Sequence, residues 1–79
     1  MDAKTARETI IKPKLAEVFG NTIAGFLLTK AIGAGIAGKT EQEKMQLMVE
    51  SICSDPKVIG MWGAAQTTRQ KSEWLSLVK

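Results

Sequence analysis

Histidine and tyrosine are absent from this chain, and cysteine occurs once, at Cys53. A single thiol closes no internal disulfide. Without histidine, one chain cannot assemble the common zinc sites, which take four Cys or His ligands or three with a water. The same absence removes the usual base that takes a proton from serine or cysteine, so Cys53 has no catalytic partner. Paired carboxylates for acid–base work would have to come from Glu41, Glu43, Glu50, Asp55 and Glu73. Helix caps and solvated positions explain these residues more simply. The expectation is a non-catalytic protein with no metal and no cofactor.

A long hydrophobic run is also missing. The stretch "IAGFLLTKAIGAGI", residues 23–36, is apolar nearly all round, but it is shorter than the roughly 20 residues that cross a bilayer. Lys30 lies in its middle, at a cost of about 2.5–3.5 kcal/mol on insertion scales. No membrane span is expected. The opening "MDAKTARETI" is charged and has no apolar core of the kind a secretion signal carries. Together with the lone thiol this fits a reducing cytoplasm. No stretch alternates apolar and polar residues with period two, so no strand is expected. The reading also finds no repeat and no low-complexity segment.

What the 79 residues do contain is helical periodicity. Thr5-Ala6-Arg7-Glu8 has the form of a capping box, which predicts a helix start there. Pro13 lacks a backbone N–H and crowds the preceding turn. The first helix should therefore stop near Ile11, kink at Pro13, or restart with Pro13 in its first turn. Leu15, Val18, Phe19, Thr22, Ile23 and Phe26 follow at spacings of three and four, one helical face. The apolar segment 23–36 reads as a central helix whose glycines let neighbouring backbones approach. Thr40-Glu41-Gln42-Glu43 is a second capping box, followed by the stripe Met45, Met48, Val49, Ile52 and Cys53. That helix should end near Ser54, where Asp55 as N-cap and Pro56 as first helical residue start another. The remainder, 57–79, is either one long helix with a solvated middle or two short ones meeting near Thr67 and Thr68. The predicted architecture is all-α, one domain over 1–79, a compact bundle of four or five short helices around a central apolar glycine-containing helix.

One motif suggests chemistry. "GAGIAGKT", Gly33 to Thr40, spells the phosphate-cradling loop of nucleotide-binding enzymes, with Lys39 to reach phosphate and Thr40 to hold magnesium. Such a loop joins a strand of a parallel sheet to a helix, and parallel strands need crossovers of a dozen residues or more. Only 39 residues follow Thr40, and they read as helix. A helix–turn–helix junction accounts for the same letters, with Gly33 or Gly35 ending one helix, Gly38 supplying a turn and Thr40 capping the next.

Two kinds of partner remain. A domain this small builds a core of only about 3–5 kcal/mol net stability, and self-association is one remedy. Trp62 and Trp74, with Met61 and Leu77, are the candidate partner contacts, since tryptophan favours surfaces that are half apolar and half wet. The favoured function is a small accessory or regulatory interaction module that binds another protein, itself first. The alternative is nucleic-acid binding by a helix-turn-helix-like segment 41–71, with Lys57, Arg69 and Lys71 on phosphates. The net charge of +3 permits it, but the helix before the turn is acidic and "VIGMWGAA" is too apolar to lie in a groove.

Overall fold

The computed structural model describes residues 1–78, and every regular element among them is helical. The first helix, α1, spans 3–19 in three consecutive pieces: α-helical Ala3–Ala6, π-helical Arg7–Ile11 and α-helical Lys12–Phe19. Its N-cap is Asp2, whose carboxylate accepts from the Thr5 backbone N–H at 2.6 Å. That hydrogen bond holds the Asp2 carboxyl below its ordinary range. The expected start at Thr5 is thus corrected by three residues. Ala3 and Ala6 are both buried, and burying them requires the helix to reach that far back. The Ala3 N–H also donates to Glu41 Oε1, 38 residues on, at 3.1 Å.

Pro13 neither stops α1 nor takes it out of helical backbone angles. Lys12 N–H donates to the Arg7 carbonyl, five residues back, so the helix widens by one residue immediately ahead of the proline. A π-turn absorbs the missing donor and the ring's bulk in this way. Pro13 then sits in the first turn of the α-helical piece. Ile11 and Leu15, on either side of it, are both fully buried.

Gly20 ends α1 with φ 84° and ψ 163°, a region open essentially to glycine alone. The apolar face expected to run unbroken from Leu15 to Phe26 is therefore cut in two. The second helix, α2, is Asn21–Gly35, and it buries Ala24, Leu27, Leu28, Ala31 and Gly35 between α1 and the helix that follows. That third helix, α3, is Glu41–Cys53 and supplies the rest of the central core: Met45, Met48, Val49, Ile52 and Cys53. Burial pushes the Cys53 thiol up from its ordinary range.

Glycine is required where α2 turns into α3. A Cβ on Gly38 would lie 2.6 Å from the Lys44 backbone nitrogen and 2.8 Å from its Cα. A Cβ on Gly35 would meet Met48 Cγ at 2.8 Å, and a methionine side chain can move aside. Gly38→Ala is therefore expected to destabilise by about 1–3 kcal/mol, as overpacking against rigid atoms does, and Gly35→Ala by less. Urea midpoints of the two variants check this; equal losses would mean that the loop over Lys44 yields.

The fourth helix, α4, is Pro56–Leu75. Asp55 caps it, accepting from Lys57 N–H at 2.9 Å. It is bent into two straight parts, 56–62 and 64–75, by Gly63 at φ 80° and ψ 161°. The junction is not at Thr67 and Thr68, as the polar run suggested. Thr67 is buried, and its hydroxyl donates to the Gly63 carbonyl at 2.7 Å, closing the corner from inside. Trp74 packs edge-on against Trp62 at 6.0 Å between ring centres, and Trp62 meets Phe19 at 5.9 Å. This line of three rings joins the C-terminal part of α4 to α1.

Candidate interaction surface

The two bends share one construction. Pro13-Lys14-Leu15-Ala16-Glu17-Val18-Phe19-Gly20 matches Pro56-Lys57-Val58-Ile59-Gly60-Met61-Trp62-Gly63 at proline, lysine and glycine, with similar apolar residues at three more positions. Each proline lies in the first turn of a helical piece, and each glycine holds the same positive φ and extended ψ. The aromatic residues just before the glycines touch. Carried further at the same offset, the correspondence pairs buried Leu15 with Val58, Ala24 with Thr67 and Ala31 with Trp74, but sets buried Leu27 and Leu28 against the half-buried Gln70 and Lys71. No repeat is legible in the sequence, because a match of this length between segments of different polarity is weak until the backbone angles are known.

The four expected contact residues divide. Met61 is 57% exposed, Trp62 and Leu77 are half-buried, and Trp74 is 2% exposed. Trp74 is the wall against which Trp62 packs, so it presents nothing to a partner. Exposed apolar surface that the spacing did not predict lies on α2 and its C-cap, Ile36. Phe26 is 72% exposed, Ile36 78% and Ile32 41%. At 100° per residue, Thr22, Gly25, Phe26, Thr29, Gly33 and Ile36 share one arc of about 100°, directly opposite the buried stripe. None of the six carries a charge. Gly25 and Gly33 have open space where a Cβ would be. Phe26 was missed because its spacing from Leu15 assumed one continuous helix through Gly20.

The second half of the chain provides an internal control. The residues matching Gly25, Phe26, Thr29 and Gly33 are Thr68, Arg69, Ser72 and Ser76, all exposed and all polar. The fold therefore does not demand an apolar outer face at these positions.

Ion pairs border the face. Beside Phe26, Lys30 Nζ lies 3.6 Å from Asp55 Oδ2, with Lys57 close by. Beside Ile32 and Ile36, Lys44 pairs with Glu41 at 3.2 Å and Arg7 with Glu8 at 3.0 Å, while Lys4 stands next to them.

The glycine-rich loop is arranged differently from a phosphate site. Residues 26–32 are helical, Gly33 lies inside α2 and Gly35 is its last residue. At the start of α3 the Glu43 carboxylate accepts from Lys39 N–H at 2.8 Å, and the Thr40 hydroxyl accepts from Glu43 N–H at 3.1 Å. A protein carboxylate thus takes up a donor that an anion would use. Of the three residues expected on nucleic-acid phosphates, Lys71 lies 3.8 Å from Glu50, and the Gly63 bend separates Lys57 from Arg69.

No protein family, curated protein or solved structure matches this chain. No helix among the described residues is long and apolar enough to cross a membrane.

Proposed function

We propose that this chain is a small non-catalytic interaction module of the cytoplasm, an accessory or regulatory subunit that meets its protein partner through the outer face of α2. One observation carries this reading: a charge-free row holding Phe26 and Ile36, both more than two-thirds exposed, on a fold whose other half carries Thr68, Arg69, Ser72 and Ser76 where this row has Gly25, Phe26, Thr29 and Gly33. Exposed apolar residues scattered singly need no explanation, whereas a contiguous row rimmed by charges is the composition of a docking surface. Met61, the one originally expected contact that stays well exposed, lies on the 56–62 part of α4.

The test is a photo-crosslinking residue placed at Phe26 and, as its control, at Arg69. Irradiation of cells producing each protein is expected to give protein adducts from position 26 and none from position 69. Adducts from neither, or from both equally, would remove the reading.

A further inference from the structure

Resting on that reading, we infer that the outer face of α2 is the seat of a second copy of this chain, packed with the two α2 helices antiparallel. The face is complementary to itself reversed. Along it the order is gap, knob, gap, knob: Gly25, Phe26, Gly33, Ile36. Turned end for end, the same row brings Ile36 near Gly25 and Phe26 near Gly33, the two matches differing by two residues, about 3 Å along the helix, and both gaps are open because nothing lies within 4 Å of either glycine's absent Cβ. Thr29 then falls beside the two-fold axis, facing Thr29 of the second copy. Close helix approach over small residues with bulky neighbours inserted is ordinary ridge-and-groove packing.

Charge and area agree with this occupant. Each copy carries +3, so approach is easiest where cations are few or matched. The middle of the face has no charge, and Lys30 at its edge is already matched by Asp55. The rim pairs Lys30 with Asp55, Lys44 with Glu41 and Arg7 with Glu8, while Lys57 and Lys4 beside them add positive charge at the edge that salt would screen. Phe26, Ile32 and Ile36 expose on the order of 350 Å² of side chain per copy. With the glycine and threonine surface, the two copies bury roughly 1,000 Å² in total, the lower limit for a specific contact. The dimer is accordingly weak and reversible, forming in the micromolar range.

Thr29→Cys and Thr22→Cys, each with Cys53 left in its buried place, decide the arrangement. Under mild oxidation Thr29→Cys is expected to form disulfide-linked dimer at least ten times faster than Thr22→Cys. In the antiparallel register the two Thr22 positions lie far apart, at opposite ends of the contact. Sedimentation of the unmodified chain should show concentration-dependent dimer that Phe26→Glu abolishes, with circular dichroism unchanged. Moderate salt should strengthen the dimer by screening two like-charged copies; binding to anionic vesicles or to duplex DNA would instead weaken. Equal cross-linking at both positions would overturn the antiparallel pairing. A chain monomeric at every concentration and salt, with no Thr29→Cys disulfide, would overturn the second copy, and vesicle or DNA binding in that case would name the occupant. Photo-adducts at Phe26 with a different protein, without the disulfide, defeat this inference and leave the interaction reading standing.

Discussion

Replacing Trp74 by alanine is expected to leave the chain largely unfolded at 37 °C. Truncating a buried aromatic side chain costs about 3–5 kcal/mol, the lost transfer energy plus the cavity left behind. A domain of this size holds a net stability of about the same magnitude, so a single substitution exhausts it. The position makes the loss worse than its area implies, because Trp74 supports Trp62, and Trp62 in turn meets Phe19 across the two bends. Trp62→Ala, at a half-buried site, should cost less, and Trp74→Phe should keep most of the stability. Thermal melts followed by circular dichroism separate these outcomes. A Trp74→Ala variant melting within about 5 °C of the unmodified chain, a difference worth roughly 1 kcal/mol, would show that the ring line is not a structural support.

Second in expected size is the pair of glycine bends. Gly20→Ala and Gly63→Ala put a side chain where nothing lies within 4 Å, so no clash results. The cost is entirely in the backbone. Both residues hold φ near 80° with extended ψ, a region in which an L-residue is strained by about 1–3 kcal/mol. Each variant should lose that amount, and the double variant about the sum. Chain synthesis with D-alanine at position 20 or 63 provides the opposite sign. The mirror image of this conformation lies in the broad extended region that L-residues favour. D-alanine should therefore be neutral, or stabilising by about 0.4–1 kcal/mol through a less flexible unfolded chain. Equal effects of L- and D-alanine would mean that the bends do not hold these angles in solution.

Much of the fold was legible in the sequence, and the reasons are local. Thr40 accepts from Glu43 N–H as a capping box requires, though the Glu43 carboxylate takes the Lys39 N–H in place of that of Thr40; the stripe from Met45 to Cys53 is buried as its spacing required, and Asp55-Pro56 opens α4. Each of these signals lives within one turn of helix, where side-chain geometry and sequence spacing are the same thing. Gly20 and Gly63 were not legible as bends, because glycine is equally at home in a frayed helix and in a corner, and only packing between distant segments selects one. The error at Gly20 spread to the surface: it assigned Phe26 to the core face when the bend turns it outward. Trp74 illustrates the other limit. Composition says that tryptophan favours interfaces, but the inside of a corner closed by Thr67 is as good a place for a large ring as any partner.

The hydrogen bond from Ala3 to Glu41 has a bearing on how the molecule assembles. A polypeptide grows from its amino end, so the donor is made long before its acceptor exists. The opening turn of α1 can form early on Asp2 alone, but it stays unclasped until α3 has taken shape beside it. A segment made earlier is thus locked down only once one made 38 residues later is in place.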